Sequence, residues 1–371
     1  MSESELLDIL QLIKTEGVGP VTFYDYVKHT GSPREALELL QRKKSISSRE
    51  EAQIEIEKAR KSNIEIIAYT DSRYPQSLLE LNDAPPVIYA RGNLDLLNHK
   101  PAIAVVGARN ASIAGRKMAS RIAYDLTNNN VLVISGMARG IDSAAHKGAL
   151  YANEQHGATV AVVGTGVDEI YPKENTELYE QICHQGLIIS EFSLGSQAQI
   201  SNFPRRNRII SALSDGVVVV EAGLHSGSLI TARLALEQGK DIYAVPGSPT
   251  ENRALGPNQL IKEGAILTES ANDILNELSM RNIRPVKKIQ IAELPLDKSQ
   301  NSVNISRQKT KTETSAQEIN LIDFISYEGV DIDELLRVCG LSQTDFFLQL
   351  TELEFTGKIE RQVGNKVAKI K

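Results

Sequence analysis

Apolar residues fall into three regimes along the chain. Over residues 1–62 they recur at helical spacing. Leu6, Leu7, Leu10 and Ile13 share one face, Phe23, Tyr26 and Val27 a second, and Ala36, Leu37 and Leu40 a third. The turn Gly17-Val18-Gly19-Pro20 separates the first two stretches. Ser32 and Pro33 supply an N-cap and a first helical residue for the third. Two helices joined by a Gly-x-Gly turn predict a SAM-like or helix-hairpin-helix domain. Its hairpin amides would either face a phosphate or serve only the packing of a small bundle.

Over residues 63–280 the period changes. Short β-branched runs at 64–69, 87–90, 103–106, 131–134, 159–163, 187–189, 217–220, 242–245 and 266–268 alternate with helical stretches. Near-continuous Val and Ile predict strands covered on both faces, as in a parallel sheet. Helical patterns of ten or more residues between most of them predict a doubly wound α/β core. Right-handed crossovers then place the loops after the strands along one edge, where ligands bind.

Residues 281–313 lose the pattern, carry Pro285 and Pro295 and are rich in Lys and Arg, which predicts a flexible basic linker. From 314 to 371 three helical stretches, near 315–327, 331–338 and 342–355, precede an alternating hairpin at 358–370. Cys339-Gly340 and Gly364-Asn365 are the turns. Three helices and a hairpin predict a winged-helix-like domain.

Composition narrows the class. An apolar content of 41% over 371 residues supports several buried cores and excludes global disorder. No apolar run reaches the roughly 18 residues of a membrane span, and the first residues, MSESELLDIL, lack a basic n-region and an apolar h-region. Cys183 and Cys339 are isolated, with no disulfide framework or zinc spacing. The expectation is a cytoplasmic chain with no metal and no cofactor. The net charge of −6 argues against nucleic acid as a partner. By region, however, the charge is −1 over 1–62, −6 over 63–280, +5 over 281–313 and −4 over 314–371. Any nucleic-acid site in the core must therefore be a local cluster of cations.

Such clusters stand at the predicted strand ends. Gly107-Ala108-Arg109 follows one strand, where glycine permits close approach to a phosphate, the next helix adds its dipole, and arginine can fork onto oxygen. Ser135-Gly136-Met137-Ala138-Arg139-Gly140-Ile141-Asp142 follows the next; Ser135, Gly136 and Gly140 could offer amides to a phosphate, and Asp142 could cap the following helix. His146 reads as packing or helix support rather than as a base. Lys173 follows the Gly164-Thr165-Gly166 loop as a point charge or a solvated lysine. Phe203-Pro204-Arg205-Arg206-Asn207-Arg208 puts three arginines, an amide and an aromatic ring at a helix start. Phe203 could stack a base or pack in the core. At least one arginine, with Arg208 the candidate, should pair with Glu191 or Glu221. Ser226, Gly227, Ser228 and Thr231 form an anion nest at another helix start, and Asn258 follows Gly256-Pro257. No nucleophile elbow, Walker lysine or metal cluster accompanies these loops. A phosphate-rich ligand that is held rather than transformed fits them best.

Taken together, VVGARNAS (105–112), SGMARGIDSAAHKGAL (135–150), GTGVDEIYPKEN (164–175), ISEF (189–192), FPRRNRIISALSDGVVVVEA (203–222), SGSLITARLALEQGKDIYAVPG (226–247) and GPNQLIKEGA (256–265) resemble the DprA/Smf family of DNA-processing proteins over almost the whole chain. The resemblance implies an extended Rossmann-like core that binds single-stranded DNA, dimerises and loads a RecA-type recombinase during natural transformation. It also implies a SAM-like N-terminal domain and a C-terminal winged helix. By motif it assigns DNA contacts to Arg109, Gly136, Arg139, Gly140, Arg206, Arg208, Ser226, Gly227, Ser228 and Thr231. Ala254 departs from the serine frequent before the family's G-x-N.

Two other readings compete. One is a nucleotide-cleaving, phosphoribohydrolase-like enzyme on a related fold. The turn His225–Ala232 carries Ala232 where that chemistry needs glutamate. The other is a winged-helix transcription regulator. Its recognition helix at 342–355 would carry Asp345, Glu352 and Glu354 with no Lys or Arg, which suits neither groove nor phosphate.

Overall fold

A computed structural model describes residues 2–42, 45–152 and 159–283, together with short stretches between 321 and 369. The chain divides into two compact units, Met1–Lys288 and Ile289–Lys371. The first begins with four helices, α1 (Glu3–Lys14), α2 (Pro20–Thr30), α3 (Pro33–Gln41) and α4 (Arg49–Lys61). Ser2, Ser32 and Ser48 cap α1, α3 and α4, each accepting from the amide of a glutamate three residues on. The apolar faces read from sequence meet in one cluster: Leu6, Leu7, Leu10, Phe23, Ala36, Leu37 and Leu40 are all buried. Helix α4, with a mostly polar sequence, was not among the helices expected. It is fixed by Ala52, Ile56 and Ala59, which join the same cluster, and by Glu55, whose buried carboxylate pairs with Lys14 and accepts from the Tyr89 hydroxyl at 2.7 Å.

The core follows as β1 (Glu65–Ala68), α5 (Gln76–Leu79), β2 (Val87–Gly92), β3 (Ala102–Val106), α6 (Ile113–Asn128), β4 (Leu132–Ser135), α7 (Ile141–Leu150), β5 (Thr159–Val162), α8 (Thr176–Gln185), β6 (Leu187–Ser190), α9 (Asn202–Leu213), β7 (Gly216–Val219), α10 (Gly227–Glu237), β8 (Asp241–Ala244), α11 (Leu255–Lys262), β9 (Ile266–Leu267) and α12 (Ala271–Ile283). All nine runs read as strands are strands. They form one sheet in the order β1-β2-β6-β5-β4-β3-β7-β8-β9. From β6 to β9 the pairing is parallel throughout, whereas β2 is antiparallel to β6 and β1 antiparallel to β2. The strand direction at that edge extends the doubly wound sheet. The chain steps outward from β3 to β6 on one side and from β7 to β9 on the other, so the topological switch lies between β3 and β7.

Helices α6 and α7 lie side by side on one face, joined by small residues. Ala119, Ala123, Ala145 and Ala149 are fully buried, and a side chain at Gly148 would run into the Ser120 backbone. This close approach sets the floor of the groove described below.

In the second unit, β10 (Val330–Asp331), β11 (Ile359–Gln362) and β12 (Lys366–Lys369) form a small antiparallel sheet ordered β10-β12-β11. Leu321, Ile325, Ile332, Leu335, Phe346, Leu350, Leu353, Ile359 and Val367 make its core. The linker read at 281–313, the turns at Cys339-Gly340 and Gly364-Asn365 and most of the three helical stretches lie outside the described residues.

Candidate functional site

The loops that follow β3, β4 and β5 and the start of α9 enclose a cleft of about 980 Å³. Arg109, Gly136, Arg139, Gly140, Phe203 and Arg206 line it, as do Gly164, Thr165, Tyr171 and Asn175. The cleft lies over the β3–β5 side of the sheet, away from the switch point.

The reason is at the start of α6. Ser112 caps this helix through the Gly115 amide, and the Glu221 carboxylate, from the loop after β7, accepts from the Ser112 amide at 2.9 Å and from its hydroxyl. The Ala108 amide donates to the Glu221 carbonyl at 2.7 Å. A protein carboxylate therefore takes the place that the sequence offers to phosphate, next to Gly107, and neutralises the helix end. Gly107 does not line the cleft.

The loop after β4 is fixed by side chains on every side. Asp142 accepts from the Gly136 amide at 3.1 Å and from the Ala138 amide at 3.4 Å. Asn175 donates to the Met137 carbonyl at 2.9 Å, and Ser143 to the Ala138 carbonyl at 2.5 Å. Arg206, only 5% exposed, donates to the carbonyls of Gly136 and Val162. These bonds hold Met137 at φ +60° and Gly140 at φ +77°, the latter against the Ala108 carbonyl. Three expectations change here. Asp142 is not the N-cap of α7, which is Gly140; its carboxylate turns back onto the loop. The Gly136 amide is engaged by Asp142 rather than turned outward. Ser135 is fully buried and donates its hydroxyl to the Val105 carbonyl at 2.6 Å. Short loops with competing internal acceptors spend their polar groups on themselves.

Burial shifts the groups beneath this loop. It pushes the Asp142 carboxyl up to about 6 against the pull of Arg206, and it draws the Arg206 guanidinium down to about 10. It pushes His146 down to about 3, with Arg206 adding to the effect. His146 is fully buried and shares a 2.8 Å hydrogen bond with the Thr159 hydroxyl, as a packing histidine does.

At the mouth, Arg109 stacks over Phe203 with its guanidinium carbon 5.1 Å from the ring centroid, and Tyr171 lies 5.5 Å away on the same ring. Arg139 is exposed and pairs with Glu174 at 3.0 Å. The other arginines of α9 turn away from the cleft. Arg208 pairs with Glu191 at 2.6 Å and Asp83 at 2.9 Å, the structural pair expected of it, and Arg205 reaches Glu191 at 3.4 Å while stacking on Phe192. A helix separates adjacent residues by about 100° and returns to one face every three or four, so Arg205 and Arg208 share Glu191 while Arg206 alone of the three faces the cleft.

Several other expected residues do not line the cleft. Asn207 donates to the Gly227 carbonyl at 3.4 Å, and Asn258 brackets the backbone of Gly247. Ser226 and Ser228 share a 2.8 Å hydrogen bond at the start of α10, and Thr231 is buried. Lys173 is exposed beside the cleft, in the short turn before α8. Conversely, the cleft includes residues not assigned from sequence: Ile113, Arg116, Lys117 and Ser120 on α6, and Lys147 and Tyr151 along α7. Their signal was the i, i+4, i+7 spacing of Ile113, Lys117 and Ser120 and the i, i+4 spacing of Lys147 and Tyr151.

Among the described residues no group of three or more His, Cys, Asp or Glu could hold a metal, and no helix is long and apolar enough to cross a membrane.

A doubly wound sheet with an arginine-edged, aromatic-walled cleft over its strand ends defines a Rossmann-like protein. The model of the DNA recombination-mediator protein A family matches residues 65–279, a DprA-like N-terminal HHH domain matches 3–60, and the DprA winged helix domain matches 306–365. The chain is 45% identical to the DNA processing protein DprA of Streptococcus pneumoniae over 207 residues, 56% of this chain and 72% of that one. It is 37% identical to the protein Smf of Escherichia coli, over 82% of this chain and 77% of the relative. Among solved structures, that of Streptococcus pneumoniae DprA superposes with a TM-score of 0.63 at 35% identity, covering 73% of this chain and 97% of that one. DNA processing protein A from Helicobacter pylori, whose structure is described for its single-stranded DNA binding mode, superposes with a TM-score of 0.53 at 28% identity, covering 59% and 96%. The chain belongs to the DprA/Smf family of DNA recombination-mediator proteins.

Proposed function

We propose that this protein binds single-stranded DNA without strong sequence preference, protects it, and promotes its loading with a RecA-type recombinase during DNA uptake and recombination. The observation that carries this reading is the Arg109–Phe203–Tyr171 stack at the mouth of the cleft. A guanidinium offers a phosphate two parallel donors, and adjacent rings offer bases a sequence-tolerant face. Arg139 and Lys173 flank the same mouth, while Gly140 and Arg206 shape its wall. Family membership and the DNA-binding relative from Helicobacter pylori support the same ligand. The protein works as a homodimer in the cytoplasm and holds the strand without cleaving it. Ala232, fully buried, leaves no carboxylate at the turn where a nucleotide-cleaving relative would need one.

The test is a binding titration with single- and double-stranded oligonucleotides over a salt series. The single strand binds more tightly, and log Kd rises with log salt with a slope of about 0.7 per phosphate contacted. Arg109→Ala weakens binding at least tenfold, equally for all sequences. Unchanged affinity in that variant would place the strand elsewhere. Loading is read as faster recombinase assembly on strands already coated by a single-strand-binding protein.

A further inference from the structure

The cleft does not end at the strand ends. It continues along the groove between α6 and α7, past Ser120 and Ala144, to Tyr151 at the far end of α7. From Gly140 to Tyr151 this is on the order of 15 Å of helix. Two lysines, Lys117 and Lys147, stand on opposite sides of the groove and are exposed. Among the described residues neither has a carboxylate partner, whereas Arg139 at the mouth is paired with Glu174. Two large apolar side chains are left in solvent beside them: Ile113 is 79% exposed and Tyr151 82% exposed. An exposed ring beside an unpaired cation, in a groove that opens from an anion-receptive cleft, matches the alternation of base and phosphate along a nucleic-acid strand.

We infer that the α6–α7 groove is a second binding segment, in which Lys117 and Lys147 hold successive phosphates and Tyr151 stacks a base of the same single strand that occupies the cleft. This rests on the proposed single-strand binding and adds to it the path of the strand and its outer contacts. The occupant is a single strand rather than a duplex because Tyr151 needs a free base face. Its direction follows from geometry: the switch point is filled by Glu221, so a strand leaving the cleft has the α6–α7 groove open to it.

The chain contains no tryptophan, so Tyr151→Trp places the chain's single tryptophan, excited selectively at the red edge beyond tyrosine absorption, at a position 82% exposed among the described residues. On saturation with a thymidine 20-mer, its emission is quenched and becomes shielded from acrylamide. Independently, the double variant Lys117→Gln/Lys147→Gln lowers the salt slope for the 20-mer by about 1.4, two phosphates at about 0.7 each. Both measurements are made on the full chain, with circular dichroism matched to the parent. A tryptophan that stays bright and accessible while the 20-mer saturates the protein, or a salt slope unchanged in the double variant, overturns the groove assignment and leaves the single-strand reading standing. A parent protein that does not bind the 20-mer removes both.

Discussion

A guanidinium buried as deeply as that of Arg206 serves the fold first. It holds two carbonyls from adjacent strand ends and faces Asp142 from within the same wall. The substitution informative about ligand is therefore Arg109→Ala, whose side chain is exposed on Phe203, and not Arg206→Ala, which strands buried acceptors and costs about 1–3 kcal/mol of stability for that reason alone. Asp142 gives a pH signature. Its carboxyl is raised from 3.8 to about 6, so its contribution to stability is complete below about 3.8 and is lost as pH rises through 6. Asp142→Asn keeps an acceptor for the Gly136 and Ala138 amides and removes the titration. Denaturation at pH 4, 5, 6 and 7 will show the difference moving in the variant's favour by about 1.4 kcal/mol per pH unit between 4 and 6, then levelling. A difference that stays constant would mean that the carboxyl is ionised throughout. His146 has the opposite sign: lowered from 6.5 to about 3, its contribution is complete above 6.5 and is lost as pH falls. In the parent chain the two slopes oppose each other across the same range.

Among the elements, α6 shows how a sequence signal can point to the right place and the wrong occupant. Gly107-Ala108-Arg109 followed by Ser112 reads as a phosphate loop, and the strand-turn-helix is there. Glu221 lies 109 residues away in sequence, and only the parallel pairing of β3 with β7 brings its carboxylate onto the helix end. Glu221→Ala will destabilise the protein by about 1–3 kcal/mol through the lost bonds to Ser112, without weakening DNA binding. Urea denaturation and the oligonucleotide titration measure the two effects, and a loss of affinity would show that this helix end belongs to the ligand site. The nine strands were legible because burial on both faces demands continuous Val and Ile. The reversed direction of β2, which makes its pairing with both β1 and β6 antiparallel, was not, since side-chain pattern carries no strand polarity. Helix α4 was missed because its buried apolar residues, Ala52, Ile56 and Ala59, are few within a polar sequence, and Tyr89, which bonds its Glu55, lies on β2.

For the whole molecule, the charge of −6 describes the partner poorly. Carboxylates such as Glu191, Asp83 and Glu221 are spent on arginines and a helix end inside the fold, while Arg109, Arg116, Lys117, Arg139 and Lys147 stand along one cleft and groove. The second unit, acidic over 314–371, has its own core and sheet. Deleting 314–371 should leave single-strand affinity within threefold of the full chain by titration. A tenfold loss would assign DNA contacts to that unit. By itself, the sequence determined the strands, the capped helices, the family motifs and the strand-end position of Arg109 and Phe203, because these depend on local spacing and on burial averaged over a segment. Only the tertiary structure decided which of the arginines face the cleft, that Glu221 fills the switch point, and that Lys117, Lys147 and Tyr151 share one groove. Those outcomes depend on which distant segments the parallel sheet and the close packing of α6 on α7 bring within hydrogen-bonding distance.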